Sequence, residues 1–317
     1  MLLVFAAAGV VSAAGGYWAD LQRLASGLRF GWLAVGWLLM TSGMVALAAR
    51  WRAFFPADVR APLAQLTAIL LVGGLLNYAL PGPAGELVGA TMAGRRFGFP
   101  AERALAAGLA ARFTGLGLAG LMALGLVESG GLSLPESGAS WLRLATFVVA
   151  GGAVLLLVLA MFPDLWKRLA RATTGRVSWL SRLHASVERL ADAMGDLRHV
   201  GARAWLQAGA WALVGHGLVI AGISCAARSL AAEPTAAGLV FTYAASTAGA
   251  IVLFAFPGGQ VGWDGMFAAL LVSAARLDLP AAMALTLLVR LQQLLLVVVG
   301  AMLFFRTLRD GTRAGGG

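Results

Sequence analysis

Two apolar stretches, each suited to a membrane, are broken in the same way. The first reads Asn77-Tyr-Ala-Leu-Pro81-Gly82-Pro83-Ala-Gly85-Glu86, and the second Phe256-Pro257-Gly258-Gly259-Gln260-Val-Gly262-Trp-Asp264. Each sets a Pro/Gly break and one carboxylate inside sequence that otherwise suits lipid. Each is followed, 26 residues after its acid, by an arginine in the next apolar run: Glu86 by Arg112, Asp264 by Arg290. Backbone groups released at such breaks need partners or a polar cavity. Interrupted segments at corresponding places in two halves mark a transporter-type substrate site.

Composition sets the medium. Hydrophobic residues make up 60% of the 317 and charged residues 12%, about half the charged share of a soluble domain. This implies a polytopic membrane protein. Met1 to Gly16 lacks a basic leader and runs on into further apolar sequence, so it reads as a first helix rather than a cleaved signal. The net charge of +10 sits mostly in short loops, which argues against a nucleic-acid partner and for the positive-inside pattern. Cys225 is the sole cysteine, which excludes an internal disulfide and a cysteine metal cluster. No metal or cofactor motif is present.

A spanning helix needs roughly 20 apolar residues. Residues 1–16, 31–49, 102–127, 141–162, 203–225 and 281–305 qualify or nearly do. The broken regions 62–94 and 236–275 read as re-entrant hairpins of two half-helices. The expected fold is therefore all-α, a single transmembrane domain over 1–317 with about six spans and two hairpins. One half-repeat covers about 62–127 and the other about 236–305. Loop charge places Arg50, Arg52, Arg60, Arg95, Arg96, Arg103, the cations of 163–203 and Arg306 to Arg313 on one side. Arg23, Arg29, Arg143, Arg228 and Arg276 fall on the other. Both termini are then cytoplasmic, and the hairpins enter from opposite faces as an inverted repeat. Phe99-Pro100-Ala101 and Leu279-Pro280-Ala281 echo one another after the two hairpins. In 163–200, Leu180, Leu183, Val187, Leu190, Met194 and Leu197 form an apolar stripe, expected to lie on the cytoplasmic interface. Trp18, Trp32, Trp51, Trp141 and Trp166 fall near helix ends, as an interfacial belt would.

Ionisable groups at membrane depth face a partner or a cavity. Arg112 and Arg290 suit a phosphate, because a guanidinium grips two oxygens at once. Glu86 and Asp264 either orient those arginines at a substrate or only neutralise them and lock the hairpins. Asn77 and Gln260 either bind substrate or cap freed backbone groups. Gln292 and Gln293 follow Arg290 closely enough for one to face a cavity. Gly82, Gly85, Gly258, Gly259 and Gly262 permit tight turns and close approach without requiring a ligand. Gly115, Gly117 and Gly120 suit close helix packing. His216, inside an apolar run, reads as a packing residue, with a proton relay as the alternative.

At Asn77, Pro81-Gly82, Gly85-Glu86, Arg112, Pro257-Gly258-Gly259, Gly262, Asp264 and Arg290 with Gln292 and Gln293, the chain resembles the lysylphosphatidylglycerol synthase transmembrane family, also called flippase-like membrane proteins. Two positions depart from its pattern: Ala111 stands where the family has an acid, and Asp264 where it has glutamate. The resemblance implies an eight-segment bundle in a bacterial inner membrane that moves or presents a lipid, either a phospholipid or an isoprenoid-linked one. In larger members the module is fused to an aminoacyl-transfer domain. Residues 1–317 contain no such sequence, so synthase activity is not carried over. The expectation is a non-enzymatic translocase for a phosphate-bearing or aminoacylated lipid, with Asn77, Glu86, Arg112, Gln260, Asp264, Arg290 and Gln293 at the substrate. The alternatives are a membrane subunit presenting lipid to a synthesising enzyme, or an integral enzyme on a lipid-linked substrate.

Overall fold

The computed structural model describes residues 18–79, 84–132, 189–253 and 259–314, with isolated positions at 147, 151–152 and 162. The spans expected at 1–16 and across most of 141–162 lie outside the described residues. So do all of residues 163–188 and the break residues Pro81, Gly82, Pro257 and Gly258.

The described residues form helices and no strand. In chain order they are α1 (Trp18–Ser26), α2 (Phe30–Arg52), α3 (Leu63–Ala79), α4 (Ala84–Phe97), α5 (Ala101–Glu128), α6 (Ala202–Ser229), α7 (Ala236–Leu253), α8 (Gly259–Ser273) and α9 (Leu279–Ala314), with a 3-10 turn at Leu197–His199. Four are long and apolar enough to cross a membrane: α2, α5, α6 and the Leu279–Arg306 part of α9. They coincide with four of the six spans expected from hydropathy.

The two broken regions form helical hairpins. In the first, Gly73 lies against Gly85, Ile69 against Gly89, and Gln65 accepts a hydrogen bond from Arg96 at 3.2 Å, so α3 and α4 run antiparallel. In the second, Gly249 lies against Met266, and Thr235 donates its N–H to the Ala275 carbonyl at 3.0 Å, so α7 and α8 are antiparallel too. The arms contain 17, 14, 18 and 15 residues; the first and third are at the lower limit of a full span and the other two below it.

The exits of the hairpins differ in detail. After α4 the chain turns at Gly98, with φ 77°, and the Phe99 N–H reaches back to the Gly94 carbonyl. That is the six-to-one bond of a Schellman turn, for which glycine suits the left-handed residue. After α8 the left-handed position is Arg276, φ 61°, which costs a side-chain-bearing residue about 1 kcal/mol. Asp278 then caps α9 by accepting the Ala281 N–H at 2.8 Å.

The chain divides into two compact units, and α2, α5, α6 and α9 each contribute one segment to both. The unit built from residues up to 41, 119–149 and 217–294 has a core of Met40, Ile223, Leu239, Trp263, Phe267, Leu271, Leu285 and Val289. Within it α2 and α6 meet at Gly36 and Gly222. A Cβ on either would lie 2.7 Å from the other's carbonyl oxygen, the close backbone approach that small residues allow between membrane helices.

The unit built from 42–118, 150–216 and 295–317 has a core of Trp51, Phe54, Leu66, Ile69, Met194, Leu197 and many alanines. Trp51 is buried and donates Nε1–H to the Ala104 carbonyl at 3.0 Å, so it is a core residue and not part of an interfacial belt. Leu190, Met194 and Leu197, expected on the membrane surface, pack into this core, and Arg189 pairs with Glu102 at 2.6 Å.

Gly222→Ala tests the α2–α6 contact. The added methyl would press on the Gly36 carbonyl and on Met40, and overpacking of this kind costs about 1–3 kcal/mol. A lower thermal midpoint in detergent is expected. An unchanged midpoint would show that the helices separate at no cost.

Candidate functional site

Each unit contains one of the two acid–arginine pairs, and the pairs differ in how firmly they are held.

In the 42–118 unit, Glu86 lies in the first turn of α4, where a carboxylate complements the positive end of the helix dipole. It forms an ion pair with Arg112 of α5 through Oε1 and Nη1. The Arg112 side chain is 39% exposed and that of Glu86 22%. Among the described residues Glu86 is the ion-pair partner of Arg112. Asn77, at the end of α3, accepts the Gly85 N–H on its Oδ1 at 2.8 Å. The bond bridges the break and satisfies a free donor at the start of α4, as a capping side chain does. Gly85 fits there because a Cβ would fall on the Gly73 carbonyl and 2.5 Å from Asn77 Oδ1. The Asn77 oxygen thus holds the hairpin together.

In the 217–294 unit, Asp264 lies in α8 beyond the first turn and Arg290 in α9. Arg290 Nε donates to both carboxylate oxygens at 3.1 Å, and Nη2 donates to Oδ1. Nη1 donates to Gln293 Oε1 at 2.7 Å. The guanidinium carbon sits 5.6 Å from the centre of the Trp263 ring, which stacks on Phe267 at 4.8 Å. The Arg290 side chain is 9% exposed. This arginine has all three nitrogens engaged and an aromatic face against it. Gln292, next to Gln293, is buried and donates Nε2–H to Thr41 Oγ1 at 3.0 Å. Gln260 and Gly259 open α8, and Gly262 is exposed on it; the Gln260 side chain lies outside the described residues.

Two residues with a place near these pairs were not selected from the sequence. Trp263 adjoins the acid in the quoted motif, and an aromatic beside a carboxylate–arginine pair is the local signal for a ring on the guanidinium. Arg50 was grouped with the loop cations, but it lies in the last turn of α2 and its guanidinium packs against Gly115 of α5. His216 of α6 donates Nε2–H to the Gly115 carbonyl at 3.0 Å. Gly115 therefore makes room for a charged side chain and carries a second hydrogen bond, beyond simple helix packing.

The difference between the pairs has a measurable consequence. Asp264→Asn leaves Arg290 buried without its counter-charge, which costs about 3–5 kcal/mol. Glu86→Gln removes the counter-charge from a less enclosed arginine, so its cost is expected to be the smaller of the two. Thermal unfolding in detergent is expected to show a much larger drop for Asp264→Asn. Equal drops would mean that the pairs are equivalent.

The family model described as Lysylphosphatidylglycerol synthase TM region matches residues 1–300. No curated protein and no solved structure matches the chain.

Proposed function

Because the chain belongs to the lysylphosphatidylglycerol synthase TM region family, we propose that this multi-pass membrane protein moves a phosphate-bearing lipid between leaflets. The observation that carries the reading is Arg112, a partly exposed arginine inside an apolar helix, ion-paired to an acid that follows a helix break. An arginine at that depth is costly unless it meets a polar partner or a ligand. A phosphate offers it the bidentate geometry that Glu86 does not take up.

The head group would enter beside the α3–α4 hairpin while the acyl chains remain in lipid. Glu86 would hold the Arg112 side chain in place between transport events and release it to the head group. Asp264 and Arg290 would give the α7–α8 hairpin a fixed shape. The hairpins would be re-entrant, since the second arm of each, with 14 and 15 residues, is short for a full span. The protein would lie in the inner membrane with both termini in the cytoplasm, in line with its loop charges. In this reading the chain transports and does not catalyse, and its partners are phospholipids or isoprenoid-linked lipids.

Movement of a fluorescent phosphatidylglycerol in proteoliposomes tests the proposal. Wild type is expected to accelerate translocation, and Arg112→Ala and Glu86→Gln each to slow it about tenfold or more, the size of losing one charge-assisted contact. Rates equal to wild type in both would place the site elsewhere. A wild type that binds lipid without moving it would favour a subunit that presents lipid to a synthesising enzyme. Orientation has its own test. In a Cys225→Ser background, Arg95→Cys should react with an impermeant thiol reagent only from the cytoplasmic side.

A further inference from the structure

We propose that the loop between α2 and α3 forms a surface site, separate from Arg112, for the phosphate of an anionic membrane lipid, gripped by Arg52 and Arg60.

The level of the loop decides what can reach it. Arg52 is the last residue of a helix long and apolar enough to span a membrane, and α3 begins at Leu63. Residues 53–62 therefore lie at the height of lipid head groups. Aromatic packing holds them there. Phe54 is buried with its ring 4.7 Å from that of Trp205. Phe55 meets Phe99 edge-on at 4.9 Å and Trp51 at 5.4 Å. Two backbone turns are closed by the Phe55 N–H on the Arg52 carbonyl and the Val59 N–H on the Pro56 carbonyl, both at 3.0 Å. Pro56 and Pro62 restrict the backbone further.

The loop held in this way is concave. Arg52, Phe55, Pro56, Val59, Arg60 and Pro62 line an open cleft of about 450 Å³, inside the range of about 300–1,000 Å³ common to ligand clefts. Arg52 Nη1 donates to the Ala61 carbonyl at 3.4 Å, which brings its guanidinium beside the residue that follows Arg60. Neither arginine forms an ion pair among the described residues. Asp58, the one carboxylate of the loop, is exposed and is not among the residues lining the cleft. Glu102, near the start of α5, is engaged by Arg189. Arg95 and Arg96 end α4, whose Phe97 ring lies 6.4 Å from that of Phe55, so more positive charge gathers at this end of the unit.

A phospholipid answers both the charge and the lining. Phosphate oxygens match the forked donors of guanidinium groups. The glycerol and upper acyl carbons would lie on Phe55, Val59 and the prolines, apolar walls that a free anion does not need. Basic pockets at the ends of membrane helices take anionic head groups by this chemistry.

The test reads the cleft directly. Ala57 is exposed and lines it, so in a Cys225→Ser background Ala57→Cys carries a fluorophore there. The full chain is placed in phosphatidylcholine nanodiscs. Quenching by phosphatidylglycerol with a nitroxide near the top of one acyl chain is compared with that by phosphatidylcholine carrying the same nitroxide. Phosphatidylglycerol is expected to quench at lower mole fraction. Arg60→Gln, whose exposed side chain makes no printed demand on the fold, and Arg52→Gln should each reduce that preference about fivefold, the effect of one basic residue at a membrane surface. An unchanged preference in Arg60→Gln would overturn the inference, even if Arg52→Gln fails to fold. The Arg52→Lys, Arg60→Lys double variant keeps both charges without the forked donors and is expected to lose most of the preference. Full preference there would reduce the effect to diffuse charge and overturn the site. Arg112→Ala should keep the preference at this label even if it abolishes translocation. Its loss would trace the signal to the transport site and overturn the inference. Millimolar inorganic phosphate should leave the quenching unchanged. Relief of quenching would assign a free-anion site and overturn the lipid reading.

Discussion

An ion inside an apolar helix bundle must bring its partner with it, and the rest of the described architecture follows from how that demand is met. Each hairpin has one carboxylate on its second arm, and each carboxylate finds an arginine on the following long helix. The pairing ties the hairpin to that helix by a bond that lipid cannot replace. An unpaired charge there would cost several kcal/mol, so the constraint acts on hairpin and helix together.

The same demand applies to the backbone. A helix that stops within an apolar segment leaves donors and acceptors without partners. In the first hairpin the Asn77 side chain reaches across the break to the Gly85 N–H, and the absence of a side chain on Gly85 lets the arms close on Gly73. A polar residue, a glycine and an acid within ten positions thus act as one device. Asn77 and Gly85 hold the break closed, and Glu86 connects it to α5.

Pairs built on one spacing have acquired different surroundings. Arg290 is enclosed by Asp264, Gln293 and the Trp263 ring, whereas Arg112 pairs with Glu86 and remains partly exposed. An arginine with every nitrogen engaged is held in one position. Side chains contributed by α8 and α9 create this difference, so two similar motifs need not share a role.

Much of the fold was legible in the sequence, because what decides it is local. Runs of about twenty apolar residues locate α2, α5, α6 and α9, and proline and glycine locate the ends of the hairpin arms. The 26-residue spacing from each acid to its arginine identifies both ion pairs. Helix length, helix breaking and the cost of an unpaired charge depend on composition over short windows, or on one strong demand for a partner. The direction of Arg50, the burial of Trp51, the packing of Leu190, Met194 and Leu197 into protein, and the unequal engagement of Arg112 and Arg290 were decided only by tertiary structure. Each depends on which remote helix lies alongside and on whether that helix presents a glycine, a carbonyl or a ring at the point of contact. A long, flexible side chain has many directions open to it, and only its packed neighbours leave it one.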